Sequence, residues 1–143
     1  MNIVRQLLQM KGSAVWCVDP HVSVYEALRL MSDKNVGALV VTENDKVVGI
    51  LSEPDYARKV VLQGKASRDV PVSEIMSSPV FSVHPDQTVE ECMDLMTRKH
   101  IRHLPVVDGE ELVGMISIGD VMRDILYRQR EELKKFEGRG TRA

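Results

Sequence analysis

Two short segments of the chain repeat a serine and an aspartate at the same spacing. Each segment reads glycine, two apolar residues, serine, two variable residues and aspartate, and the polar pairs are Ser52 with Asp55 and Ser117 with Asp120. A serine followed three residues later by an acid is the capping box that satisfies free amides at the start of a helix. A short carboxylate at the end of a strand is also suited to accept two hydrogen bonds from the hydroxyls of a ribose. The segments therefore predict either helix caps alone or a ribose-binding site.

Two basic residues precede one of these segments. Arg102 and His103 follow a predicted helix at the entry to a buried strand, where their side chains could reach a phosphate through charge-assisted hydrogen bonds. The residues at the corresponding distance before Ser52 are Gly37 and Ala38, which carry no charge. We therefore expect two sites that differ in their chemistry.

The sequence lacks the short signatures of the common catalytic sites. It contains no Gly-x-x-x-x-Gly-Lys phosphate loop, no Gly-x-Gly-x-x-Gly, no His-Glu-x-x-His and no Cys-x-x-Cys. Its four histidines suggest no catalytic dyad, and two cysteines alone make no metal site. We therefore expect no enzyme, and neither catalytic residues, a catalytic cofactor nor a metal.

The elements that position these residues are encoded twice. A shift of 65 residues aligns Pro20 with Pro85 and Asp55 with Asp120, and the register holds without a gap. Each copy predicts strand, helix, strand, strand and helix, from capping boxes, apolar periodicity and β-branched runs. The first helix of each copy is predicted to begin after Ser23 or Thr88 and to end near Lys34 or Lys99. We expect an α/β fold, of α+β and sandwich-like character, in which two pseudo-twofold-related β-α-β-β-α motifs pack through their sheets.

The predicted boundaries and elements follow from this duplication. We expect an N-terminal segment over 1–14, a first motif over 15–64, a linker over 65–79, a second motif over 80–127, and a basic helix end and tail over 128–143. The last helix is expected to continue to about Phe136. The strands are predicted at Val15 to Val18, Ala38 to Val41, Val47 to Leu51, Val80 to Val83, His103 to Val107 and Leu112 to Ile116. The predicted turns are Asn44-Asp45 and Asp108-Gly109.

These features carry a resemblance to a known family. Together they resemble a tandem cystathionine β-synthase (CBS) domain pair, or Bateman module. The resemblance lies in the paired motifs, Glu74-Ile75-Met76 with Ser77 and Pro79, the segment Ile101 to Val106, and the two serine–aspartate segments. Tyr56-Ala57-Arg58-Lys59 is similar to stand-alone bacterial members. The resemblance covers Val15 to Tyr127.

The resemblance implies two clefts between the motifs that bind adenosine-containing ligands. The adenine would lie against the loop and strand entry, the ribose would meet Asp55 or Asp120, and basic residues would receive phosphates. The implied nucleotide-binding residues are Cys17, Ala38, Leu39, Ser52, Asp55 and Arg58 in the first motif, and Ser82, Val83, Arg102, His103, Leu104, Pro105, Ser117, Ile118 and Asp120 in the second. Pro54 removes a possible phosphate contact, so we expect weaker binding in the first motif.

The leading hypothesis is a regulatory module that binds AMP, ADP, ATP or NAD and signals to an effector protein by a conformational change. One alternative is an interaction or dimerisation module with degenerate clefts. A weaker alternative is nucleic-acid binding through the basic tail, which a net charge of −2 does not favour. We also expect a homodimer, through exposed apolar residues such as Val60, Val61, Ile125 and Leu126.

The expected location is the cytoplasm. No apolar stretch approaches the roughly 20 residues that a membrane span requires, and Met1 to Met10 does not resemble an export signal. Cys17 and Cys92, in a chain without such a signal, are expected to be reduced thiols.

Overall fold

The computed structural model describes residues 2–140 and places a long helix, two strands and a closing helix in the same order in both motifs. The elements are α1 (Val4–Lys11), β1 (Cys17–Val18), α2 (Val24–Lys34), β2 (Ala38–Glu43), β3 (Lys46–Ser52), α3 (Glu53–Tyr56), α4 (Val72–Ile75), α5 (Val89–Lys99), β4 (His103–Asp108), β5 (Glu111–Ser117) and α6 (Ile118–Gly140). This mixed arrangement confirms the predicted fold class. Within residues 2–140, no helix combines the length and apolar composition that crossing a membrane requires.

The long helices α2 and α5 begin at the predicted caps. The hydroxyl of Ser23 accepts a hydrogen bond from the amide of Glu26 at 3.2 Å, and that of Thr88 accepts one from Glu91 at 3.1 Å. Both helices end at a lysine, as predicted, and the next residue in each motif adopts a left-handed conformation. Capping therefore fixes both ends of the two equivalent helices.

Each motif contains one antiparallel hairpin. β2 pairs with β3 and β4 pairs with β5, so that Ala38 lies opposite Ser52 and His103 lies opposite Ser117. The first turn is formed by Asn44 and Asp45, as predicted. The second turn lies one residue later than predicted, because Gly109 adopts the positive φ of 64° while Asp108 remains in β4.

The first strand is shorter than predicted, above all in the second motif. β1 pairs in parallel with β2, and the amide of Val40 donates to the carbonyl of Trp16 at 3.0 Å. The residue equivalent to Val40 is Pro105, which has no N–H to donate to Phe81. The predicted strand Val80 to Val83 is therefore reduced to a single parallel bridge between Val83 and Val106.

The segments before each motif are exchanged between the two halves. The amide of Val4, in α1, donates to the carbonyl of Gln87 at 2.8 Å, so α1 lies against the second motif. The amide of Val72, in α4, donates to Val22 at the same distance, so α4 lies against the first motif. Each motif is thus completed by a helix that stands outside its own repeated segment.

Two apolar clusters form the cores. The cluster of the first motif includes Val70, Val72 and Ile75 from the α4 region, and that of the second includes Val4, Leu7 and Leu8 from α1. The repeated glycines make room for these helices. A Cβ placed at Gly49 would lie 2.5 Å from Met76 Sδ, and one at Gly114 would lie 2.9 Å from Leu8 Cδ2.

The two sheets face each other. Leu39 and Val41 belong to the first core, whereas Ala38 and Val40 point to the opposite face of β2 and are buried as well. The contact between β3 and β5 covers this second face. The motifs therefore pack through their sheets, as predicted.

The helices that close the motifs differ from expectation in two places. α3 continues as a π-helical turn over Ala57–Val61, which turns Val60 inward to 1% exposure, so the prediction that Val60 is exposed is wrong. Ile125 packs against the second core, while Val61 and Leu126 are exposed as predicted. α6 runs to Gly140, beyond the predicted end near Phe136, and residues 141–143 of the predicted tail lie outside the described residues.

Candidate functional site

The junction between β5 and α6 places Asp120 at the end of the sheet. The amide of Ser117 donates to Asp120 Oδ2 at 2.8 Å, and the amide of Asp120 donates to Ser117 Oγ at 3.1 Å. This reciprocal pair is a complete capping box, as the spacing predicted. The Asp120 side chain retains 9% exposure, so its carboxylate is partly desolvated at the edge of the site.

Two cations meet the same carboxylate. Lys11 Nζ donates to Asp120 Oδ2 at 2.8 Å, and Arg123 Nη2 donates to Oδ1 at 2.7 Å. Burial alone would raise the pKa of Asp120, but hydrogen bonds from Lys11 and Ser117 hold it below its ordinary value. Asp120 is therefore an ionised acceptor at neutral pH, and both of its oxygens hold a cationic donor.

The equivalent junction between β3 and α3 surrounds Asp55 with hydroxyl groups. The amide and the hydroxyl of Ser52 both donate to Asp55 Oδ2 at 3.0 Å. The other oxygen, Oδ1, receives long contacts, from Ser77 Oγ at 3.4 Å and from Lys59 Nζ at 3.5 Å. Asp55 therefore has one oxygen that is weakly engaged.

The residue before each aspartate contributes to this difference. Gly119 has no side chain, and a Cβ there would lie 3.2 Å from Arg123 Nη1, so the guanidinium folds over the helix start to reach Asp120. The equivalent residue of the first motif is Pro54. Arg58, the counterpart of Arg123, makes no hydrogen bond or ion pair within residues 2–140.

The remaining predicted residues of the second motif lie along one sheet edge. Ile118 donates its amide to the carbonyl of Arg102 at 2.8 Å, which ties the junction to the strand entry. Val83 donates to Pro105 at 3.0 Å and so brings the Ser82 segment beside β4. The side chains of Val83 and Leu104 belong to the core, so only their backbone can contact a ligand.

The first motif brings its predicted residues together in the same way. Glu53 donates its amide to the carbonyl of Gly37 at 3.2 Å, and Cys17 lies opposite Val40 in the parallel pair of strands. Ala38 and Leu39 are fully buried at the strand entry. Cys17 is exposed.

Arg102 and His103 occupy different environments. Arg102 is exposed, and no carboxylate pairs with it within residues 2–140. Burial lowers the pKa of His103, and this effect outweighs the opposing charge of Asp120; Lys11 and Arg102 lower it further, while Glu53 opposes. The His103 ring is therefore neutral at pH 7.

The structure adds Lys11, Ser77 and Glu53 to the sites that the sequence indicated. Ser77 lies in the predicted linker, where its amide donates to Ile50 at 2.8 Å and its hydroxyl points to Asp55. Lys11 lies in the predicted N-terminal segment, and Glu53 is one of the variable residues of the repeated segment. Lys11 and Ser77 were missed because their segments take no part in the repeat that revealed the sites, and Glu53 was missed because it occupies a variable position of that repeat.

Comparisons with known proteins agree with this architecture. The family model described as CBS domain matches residues 4–62 and 72–127. The chain is 41% identical over 130 residues to the mitochondrial CBS domain-containing protein CBSX3 of Arabidopsis thaliana; the match covers 87% of this chain but 63% of that protein.

Solved structures show the same fold. A protein with CBS domains from Burkholderia ambifaria superposes with a TM-score of 0.86 and 45% identity, over 90% of this chain and 96% of that one. The CBS domain pair of protein MJ0100, solved in complex with 5′-methylthioadenosine and S-adenosyl-L-methionine, gives a TM-score of 0.80 at 25% identity, over 90% and 98% of the two chains. The chain therefore belongs to the CBS domain family and is a CBS pair of the regulatory kind.

Proposed function

We propose that this CBS pair binds adenine nucleotides, AMP, ADP, ATP or NAD, in the clefts between its motifs and signals to an effector protein by a conformational change. The observation that carries the proposal is the duplicated carboxylate, because Asp55 and Asp120 stand at equivalent junctions between a strand and a helix. The adenosine ligands of the MJ0100 pair support the same ligand class.

Each part of a nucleotide has a partner in this arrangement. The ribose hydroxyls donate to a carboxylate, and the exposed guanidinium of Arg102 attracts a phosphate in the second motif. In this proposal the adenine lies against the backbone at the strand entry. A ligand that contacts both motifs at once stabilises their closed arrangement, and this provides the conformational signal.

Calorimetric titration of Asp55→Asn and Asp120→Asn with adenosine and AMP tests the ribose contact. Loss of a charged acceptor is expected to cost about 1.5 to 3 kcal/mol, or roughly 10- to 150-fold in affinity at the altered site. Arg102→Ala provides a matched control, because it is expected to weaken AMP and to spare adenosine. If both aspartate variants bind AMP like the wild type and only melt at lower temperature, the carboxylates are helix caps and the proposal is wrong.

A homodimer is the second proposal, and exposed apolar side chains in a groove support it. α1 and α6 enclose a groove of about 530 Å³ whose walls include exposed Met10, Leu126 and Tyr127 beside charged residues such as Lys11 and Arg123. Covering such a face with a second copy removes apolar surface from water. Sedimentation at micromolar concentration is expected to show twice the 16.1 kDa of one chain, and a purely monomeric species contradicts this proposal.

A further inference from the structure

Lys11 is the last residue of α1, outside both predicted motifs, yet its ammonium group reaches the second junction. Nζ lies 2.8 Å from Asp120 Oδ2 and 2.7 Å from the carbonyl oxygen of Met115. The helix that carries it is anchored by Leu7 and Leu8, which are buried in the second core. The ammonium group is therefore held at the site by a docked element.

In the first motif a neutral residue meets the corresponding carbonyl, and the one ammonium group near Asp55 within residues 2–140, that of Lys59, lies 3.5 Å from Oδ1. Ser77 donates its amide to the carbonyl of Ile50, the residue equivalent to Met115, and its hydroxyl points to Asp55 at 3.4 Å. Lys11 thus reaches with one ammonium group the carbonyl and the aspartate that Ser77 reaches with an amide and a hydroxyl, but Lys11 meets Asp120 at Oδ2, whereas Ser77 meets Asp55 at Oδ1. A hydroxyl can rotate and accept a hydrogen bond from a ligand, whereas an ammonium group can only donate.

We propose that Lys11 competes with the ribose hydroxyls for Asp120, an inference that rests on the proposed function. As a consequence, adenosine fills the first site before the second. A ribose hydroxyl that approaches Asp120 Oδ2 must displace a charged donor held at 2.8 Å on a carboxylate with 9% exposure. At Asp55, the contacts to Oδ1 are 3.4 Å and longer, so the cost of displacement is small. This order is the reverse of the one expected from Pro54.

Arg123 does not impose the same penalty, although it also contacts Asp120. Its side chain is 73% exposed, so its guanidinium exchanges readily between the carboxylate and water. The side chain of Lys11 is only 31% exposed and bridges two acceptors at once. The competing donor at the second site is therefore Lys11.

The test is calorimetric titration with adenosine, which has no phosphate and so leaves the basic residues out of the measurement. The Asp55→Asn variant retains only the carboxylate of the second site, so it reports the adenosine affinity of that site. The Asp120→Asn variant reports the adenosine affinity of the first site in the same way. We expect the Asp120→Asn variant, which retains the first site, to bind adenosine about tenfold more tightly than the Asp55→Asn variant.

The decisive variant is Lys11→Met in the Asp55→Asn background. It is expected to tighten adenosine binding at the second site about tenfold, because Asp120 Oδ2 loses its competing donor. Lys11→Arg keeps a cation and is expected to give no such gain. Lys59→Met in the Asp120→Asn background is the matched control at the first site, where the 3.5 Å contact predicts less than about a threefold change.

The outcomes separate this inference from the proposed function. If adenosine and AMP bind the wild type, but Lys11→Met leaves adenosine affinity unchanged or weakens it, Lys11 is not a competitor and the inference is overturned. If neither the wild type nor any variant binds adenosine or AMP, the proposed function is wrong, and the inference that rests on it is wrong as well. Thermal melting of every variant verifies that α1 remains docked.

Discussion

Replacing Val4 by alanine tests whether α1 is a structural part of the second motif. Val4 is 0% exposed and packs in the core of that motif, while its amide donates to Gln87. The substitution removes two buried carbons, worth about 0.8 kcal/mol each, and leaves a small cavity that adds to the cost. We therefore expect the free energy of unfolding to fall by about 2 kcal/mol. At about 2 to 4 °C per kcal/mol for a chain of this size, Tm should fall by about 4 to 8 °C.

The chain offers matched controls for this measurement by denaturant and thermal unfolding. Val72→Ala removes the equivalent buried valine of α4 from the first core and is expected to destabilise by a similar amount. Gln9→Ala lies on the exposed face of α1 and is expected to change stability by less than about 0.5 kcal/mol. If Val4→Ala melts like Gln9→Ala while Val72→Ala is destabilised, the exchange of segments between the motifs is refuted.

Two further predictions concern titratable groups. Burial raises the pKa of Cys92 to about 11, so a thiol reagent at pH 8 is expected to label Cys17 alone in the folded protein, and rapid labelling of both thiols contradicts the described burial. Folding lowers the pKa of Asp120. Its carboxylate therefore stabilises the folded state at pH values above its pKa in the unfolded chain, about 3.9, and this stabilisation is lost as the pH falls through its pKa in the folded protein. The difference in unfolding free energy between wild type and Asp120→Asn should therefore shrink below about pH 4, and a difference that stays constant from pH 7 to pH 3 contradicts this account.

Sequence reasoning predicted the features that depend on local signals. The caps at Ser23 and Thr88, the ends of the long helices and the first hairpin turn were correct, and the second turn was misplaced by one residue, because each depends on neighbouring residues of the chain. Duplication added the long-range step, since residues that correspond under the 65-residue shift had to occupy equivalent places. Both serine–aspartate junctions were located in this way.

The features that sequence reasoning missed depend on contacts between distant segments. The predicted strand Val80 to Val83 is shortened because Pro105 has no N–H to donate to Phe81. The sequence of the second copy alone does not show that these two residues face each other. The inward turn of Val60 depends on a π-helical turn that the apolar periodicity does not encode. The contact between Lys11 and Asp120 joins residues 109 positions apart, and a lone lysine at a helix end is ordinarily a solvated residue.

The exchange of segments explains how a duplicated scaffold can hold unequal sites. Both aspartates cap a helix from the same place in the repeat, so the backbone gives them one geometry. The group that completes each site comes from the segment before the opposite motif, and these segments were not duplicated side chain by side chain. Ser77 therefore brings a neutral hydroxyl to Asp55, whereas Lys11 brings a charge to Asp120. Under the proposed function, the repeat determines where a ligand lies. The residues outside the repeat determine which donor group, a hydroxyl or an ammonium group, the ligand displaces.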